Sequence, residues 1–194
     1  ERCPKQLVSM GAYVIIMPDK KYINTIDPQD YGSIEALFSS EGEVTVSLCT
    51  IAGDSYENAT VSPTEPENPK NLDYWLDTSG NPHVLKQWSA TSSMWVSIAT
   101  TYIKIAAANI GKQFQVNDGV EISGLNVEGL NGNTVIRALG NDFIVIQGLL
   151  DTVHTQTSMV KVERVMPELD FLIESGNRLW GCRYGTANNG EVVN

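Results

Sequence analysis

Residues 177–185 read NRLWGCRYG and set Arg178, Trp180, Cys182, Arg183 and Tyr184 within nine positions. That concentration of guanidinium, indole, phenol and thiol suits an active site, a binding patch, or a strand packing its own aromatics. Catalysis needs partners, and the chain offers few. His83 and His154 are its two imidazoles; neither is tied by spacing to a nucleophile, and both read as solvated loop residues. Cys3, Cys49 and Cys182 are odd in number, far apart, and without the spacing of a zinc site. They suit buried small hydrophobes in a reducing cytoplasm. Asp19, Asp27 and Asp30 fall in turns, where Asp mimics a backbone acceptor. Asn117-Asp118-Gly119 and Asn141-Asp142 lack the alternating oxygen ligands and closing Glu of a calcium loop. No glycine-rich phosphate loop is present. The expectation is no catalytic residue, no cofactor and no metal.

Trp75, Trp88 and Trp95 are the candidate binding surface. They lie on three short apolar runs, 74–76, 84–88 and 94–98, joined by tight turns, so a small meander brings them within reach of one another. Buried against Val84, Leu85 and Ile98 they form an aromatic mini-core. Exposed and coplanar, they form a sugar-stacking platform.

The elements that position these residues are strands. No window of eleven or more residues keeps apolar positions at helical spacing with capping residues at its ends, whereas short β-branched and aromatic runs recur between Gly, Asn, Asp and Pro. Leu7 to Met10, Ala12 to Met17 and Tyr22 to Thr25 predict a hairpin with a buried central strand. Ser33 to Phe38 reads as a strand rather than one helical turn, because its neighbours are strands, and Glu43 to Cys49 alternates apolar and polar as a half-buried strand does. SPTEPENP, residues 62–69, is a stiff solvated connector. From residue 101 to 164 shorter strands follow, at 102–105, 113–116, 118–124, 134–138, 143–146 and 159–163, with turns at 117–119, 130–133 and 140–142. Five or six short strands in so short a span predict a small closed or nearly closed barrel. The fold class is therefore all-β: a partial β-propeller-like or β-meander base, residues 1–99 and 166–194, with an inserted small β-barrel, residues 100–165.

The chain has 194 residues, enough to bury a core. Its 13 Lys and Arg against 23 Asp and Glu leave a formal charge of -10, which repels phosphate backbones and anionic lipid. Sequence-specific nucleic-acid binding and membrane binding are not expected. No apolar run reaches the roughly 18 to 20 residues of a membrane span; Ala12 to Met17 is stopped by Pro18. The first residues lack the charged start and apolar core of a signal peptide, so the sequon Asn58-Ala59-Thr60 is not expected to carry sugar. The chain starts without Met and stops inside an apolar run, and is read as an excerpt of a longer protein.

Three stretches together, MGAYVIIMPDKKYINT (10–25), residues 74–105, and MPELDFLIESGNRLWGCRYG (166–185), resemble a family of uncharacterised phage or prophage virion proteins of Gram-positive gut bacteria. Those in turn resemble propeller-type tail and neck components, in which an Asn-Arg-Leu-aromatic strand precedes an Asn-rich loop, as residues 186–190 do here. Residues 114–148 are similar to small β-barrel modules of phage structural proteins, with Asn117-Asp118-Gly119 where Gly-Asp is usual. The resemblance implies a virion structural protein made in the bacterial cytoplasm. Its partners would be other virion proteins, and it would self-assemble in full-length form. A carbohydrate-binding module of a host-recognition protein is the alternative, and a glycan-cleaving enzyme on the same scaffold a third possibility. On this reading NRLWGCRYG opens a blade: Leu179, Gly181 and Arg183 line one face, and Arg178, Trp180, Cys182 and Tyr184 the other. Trp180 and Cys182 are expected to be buried, with Arg178 reaching toward Glu174.

Overall fold

The computed structural model describes residues 5–56, 59–166, 169, 171–182 and 192–193. Among these the chain is all-β. It has twenty strands, no α-helix, and one 3-10 turn at Ile110–Gln113. The strands form five sheets, mostly antiparallel, none of which closes on itself. Contacts divide the chain into two compact units, residues 1–36 with 164–194, and residues 37–163.

Unit 1 holds two sheets. The four strands β1 (Gln6–Met10), β2 (Tyr13–Met17), β3 (Lys21–Asn24) and β4 (Tyr31–Ser33) pair in chain order. The predicted hairpin is present, with β2 between β1 and β3. β18 (Phe171–Ser175), β19 (Arg178–Cys182) and β20 (Val192–Val193) form the second sheet. Ser175 pairs with Arg178 across a two-residue loop, Gly176-Asn177, both at φ 63; that is a type I′ turn, which needs residues tolerating positive φ. The core consists of Val8, Ile15 and Met17 from one sheet and Leu172 from the other, flanked by Tyr22, Ile34, Met166, Leu169 and Leu179. β1 and β18 approach each other, and Gln6 ties them: its Nε2 donates to Leu172 O at 2.5 Å, while its Oε1 accepts from Leu172 N at 3.0 Å. One side-chain amide thus takes both hydrogen bonds of a peptide unit, which a buried backbone requires.

Unit 2 holds three sheets. β11 (Tyr102–Ala106) pairs with β6 (Val44–Cys49) on one side and β15 (Phe143–Gln147) on the other; β14 (Ala138–Gly140) and β16 (His154–Gln156) complete that sheet. The ladder between β6 and β11 runs across the boundary drawn at residues 99/100 from sequence. A second sheet has the order β13 (Gly132–Val135), β12 (Gly119–Ser123), β17 (Lys161–Arg164), β5 (Ala36–Ser39). Val44, Val46, Ile103, Ile105, Ile144, Ile122 and Val162 are wholly or almost wholly buried. β5 and β17 are pinned at Ser40, whose N–H donates to Val160 O at 2.9 Å and whose Oγ accepts from Val160 N at 2.8 Å.

The third sheet carries the tryptophans, in the order β10 (Met94–Ser97), β9 (Val84–Ser89), β8 (Tyr74–Asp77), β7 (Ala59–Ser62). The proline-rich connector returns the chain so that β7 and β8 run parallel. Two details differ from the sequence expectation. Residues 113–116 are not a strand: Gln113 ends the 3-10 turn that follows Asn109, left-handed at φ 63, and Gln115 N bonds to Asp118 Oδ2 in the next turn. The strand expected over 134–138 is broken between β13 and β14 at Ile136-Arg137.

Candidate functional site

The third sheet does bring Trp75, Trp88 and Trp95 together. Trp88 and Trp95 are directly opposite across β9 and β10. Their rings meet edge to face at 5.4 Å and 64°, and Trp95 meets Trp75 at 5.5 Å and 68°. Trp75 is buried, whereas Trp88 and Trp95 are half-buried. Neither pair is coplanar, so the cluster has the edge-to-face form of an aromatic core. Lys86 lies over the Trp75 ring at 4.4 Å and pairs with Asp77 at 2.7 Å. The Lys86 hydrogen bond, with those from Ser79, pulls the Asp77 carboxyl down to about 2. Trp75 Nε1 donates to Ser62 O at 2.8 Å. Trp95 Nε1 is buried and has no acceptor among the described residues.

The other sequence candidates stay apart. His83 Nδ1 is 3.7 Å from Asp151 Oδ2 at the surface, and exposed His154 meets Thr152 Oγ1 at 3.2 Å. Cys49 is buried, and desolvation pushes its thiol up to about 11. Among the described residues no group of three His, Cys, Asp or Glu is placed to hold a metal, and no helix is long and apolar enough to cross a membrane. Cys3, Asn58, Arg183, Tyr184 and the Asn-rich residues 186–190 lie outside the described residues.

Asp30 organises a polar corner that the sequence reading treated only as a turn. Its Oδ2 accepts from Tyr13 Oη at 3.0 Å and from Asn24 Nδ2 at 3.1 Å, and its backbone O accepts from Asn24 N at 2.8 Å. The Asn24 hydrogen bond, followed by that of Tyr13, holds the carboxyl below its ordinary range, and the same carboxylate raises the Tyr13 hydroxyl.

The surface that stands out lies in unit 1. Cross-strand partners share a face, so the registers Leu7↔Ile16↔Lys21↔Ser33 and Ser9↔Val14↔Ile23↔Tyr31 define the side of the first sheet turned away from its core. Leu7 is 65% exposed, Tyr31 68% and Ile23 37%, with Val14 and Ile16 half-buried. On the second sheet, Phe171↔Cys182, Ile173↔Trp180 and Ser175↔Arg178 form the corresponding outer face, with Ile173 49% and Phe171 43% exposed. No Asp or Glu stands at any of these positions. The expected burial of Trp180 and Cys182 is corrected here: Trp180 is 36% exposed, and the inward side of β19 carries Leu179 and Gly181. Leu169 packs over Gly181, where a Cβ would lie 2.5 Å from Leu169 Cδ1, so this side of β19 faces the core and the indole faces outward. Glu174 accepts from Asn177 N at 2.8 Å, in place of the expected Arg178. The signal for these faces was present in the sequence, because LVSM, YVIIM and FLIES are apolar at both strand parities. Compared with family models, curated proteins and solved structures, this chain matches none.

Proposed function

We propose that this protein is a structural component of a bacteriophage or prophage particle, of the tail or neck assembly, acting through protein–protein contacts. The observation that carries the reading is that both sheets of unit 1, beside the apolar core they share, expose large apolar side chains on their outer faces. A sheet that ends a domain has one apolar face and one solvated one; a sheet apolar on both faces belongs inside a stack, as propeller blades do. Edge-to-face tryptophans, with Lys86 over one ring, support the mini-core over a sugar platform.

The same reading covers the finer architecture. Unit 1 is two blades of a propeller-like base, nearest at β1 and β18. Unit 2 contains a small barrel that closes through two bent strands: β13 hands over to β14 at Ile136-Arg137, and β16 to β17 through residues 157–160. Counting each bent pair as one strand gives a ring of β15, β11, β6, β16/β17, β12 and β13/β14, supported by the pairings on both sides of each bend. The formal charge of -10 suits a surface past which DNA slides without sticking. Mass spectrometry of purified particles from a host carrying the gene is the test: the protein is expected among the structural components, and its absence overturns the reading.

A further inference from the structure

We propose that the free edge of β7 receives an extended segment of a partner protein, which seats one bulky apolar side chain in the cavity beside Val61 and brings a lysine or arginine to Asp151. The site belongs to unit 2 and goes beyond the reading above, which rests on unit 1.

β7 is the last strand of its sheet, with β8 on one side and, among the described residues, no strand on the other. A strand in that position presents unpaired N–H and C=O groups to any extended chain that reaches it. Ser62 O is turned toward β8, where it accepts from Thr78 N at 3.2 Å. Backbone groups alternate in direction along a strand, so those of Val61 point away from β8, into the free edge. Val61 is 50% exposed, and Ala59 and Thr60 are exposed beside it. Edges of this kind are commonly blunted by charge or proline, and Ala59–Ser62 has neither.

A cavity of about 180 Å³ opens beside that edge, with Leu76 and Leu150 buried at its floor and Ala59, Val61 and Val153 exposed at its mouth. Val61 stands opposite Leu76 in the register, and Ala59 is two residues before it, so all three share one face of the sheet. A strand added to β7 continues that face, and every second side chain of it points toward the cavity. The volume suits a single group of about the size of a benzene ring. Among the described residues Asp151 is the only ionic side chain lining the cavity, and its Oδ2 lies 3.7 Å from His83 Nδ1. On a chain of formal charge -10, a lone carboxylate at the mouth favours a cation and repels an acidic segment. The partner's segment is therefore extended, with a leucine-sized residue and a lysine or arginine two places from it. Such recognition takes affinity from main-chain hydrogen bonds and specificity from the pocket.

The probe is an acetylated, amidated heptapeptide of threonines with leucine at its centre and lysine two places to either side. Titrated into the isotope-labelled full chain, it is expected to shift the amide resonances of Ala59 to Ser62 and Leu150 to Val153 saturably. Alanine in place of the leucine, or methylation of every peptide nitrogen, should abolish those shifts, and glutamate in place of the lysines should weaken binding. Asp151→Asn should weaken the lysine peptide by a factor of about two to five, the range of an exposed ion pair, and leave a glutamine version of the peptide unaffected. Val61→Pro removes the edge N–H at a position where a sheet tolerates proline and should abolish binding; an unchanged near-ultraviolet circular dichroism spectrum shows that the variant folds. Ala59→Trp plugs the mouth without touching the backbone and should give the same loss. No saturable shift at millimolar peptide overturns the proposal, as does equal binding of the alanine, N-methylated or glutamate peptides, or a set of shifts centred elsewhere on the chain. Because binding is read on the isolated chain, absence of the protein from purified particles removes the structural role and leaves this site standing. A failed titration with a chain found in particles does the reverse.

Discussion

Two indole N–H groups in one cluster should respond to the same chemical change with opposite signs. Trp75 and Trp95 meet edge to face at 5.5 Å, but Trp75 Nε1 donates to Ser62 O at 2.8 Å, whereas Trp95 Nε1 is buried without an acceptor among the described residues. Benzothienylalanine replaces the N–H by sulfur with little change in shape, so introducing it at each position isolates the donor. At Trp75 one hydrogen bond is lost, for about 1 kcal/mol net. The Ser62 carbonyl keeps the Thr78 N–H at 3.2 Å, so no orphan acceptor adds to the loss. At Trp95 a stranded donor is removed, and its desolvation cost of about 1 to 3 kcal/mol is recovered. The two substitutions should therefore differ by roughly 2 to 4 kcal/mol, destabilising at 75 and stabilising at 95. Urea titration followed by far-ultraviolet circular dichroism measures both, provided the slope of the transition is unchanged. Equal signs, or a clear loss of stability at position 95, would refute the account of the cluster.

Gly111 lies under the turn between β14 and β15, donating its N–H to Asn141 O at 3.1 Å, and a Cβ there would be 1.9 Å from Gly140 O. Gly111→Ala should cost about 3 kcal/mol because backbone has to move, whereas Gly119→Ala, whose Cβ meets nothing within 4 Å, should leave the thermal midpoint unchanged or raise it. Cys49, buried and with its thiol pushed up from 9.0 to about 11, should resist iodoacetamide at mild pH until the chain is denatured, as read by peptide mass mapping. Its raised value means that the folded state holds the proton more tightly than the unfolded one. The associated stability is full below pH 9 and declines as pH rises toward about 11; Cys49→Ala should flatten that part of the alkaline denaturation profile.

Much of the sheet structure was legible because alternation and turn residues are local. Val44 to Cys49 alternates and is β6, and the Gly176-Asn177 turn falls where a type I′ pair is demanded. The strands that escaped notice are β4, β7 and β16: Tyr31-Gly32-Ser33, Ala59 to Ser62 and His154-Thr155-Gln156 carry little apolar pattern. β4 and β7 pair with the neighbouring strands β3 and β8, whereas β16 is a strand because β6, far away in sequence, offers its edge, and that information is non-local. The break at Ile136-Arg137 has the same origin: Ile136 N bonds to Asp118 O, but Arg137 N bonds to Val145 O, so adjacent residues serve different sheets. Alternation divided β19 into two faces correctly. It could not choose the inner one, which depends on the packing of Leu179 and Leu169 around Leu172 in the core. For the candidate site, the proximity of the three tryptophans followed from strand order, while the ring angles depend on side-chain packing.

The staple at Ser40 and Val160 has a consequence for how the chain comes together. Unit 1 is assembled from residues 1–36 and 164–194, so its halves are parted by all of unit 2 until folding begins. Once β5 and β17 pair, the ends of those halves are held about one strand spacing apart, roughly 5 Å. Closing a loop the length of residues 37–163 spans about seven doublings of chain length, an entropic cost of roughly 4 kcal/mol that a folded unit 2 has already met. Unit 2 therefore acts as a splint for unit 1, and an injury to the Ser40 staple should appear first as the failure of Gln6 to find Leu172.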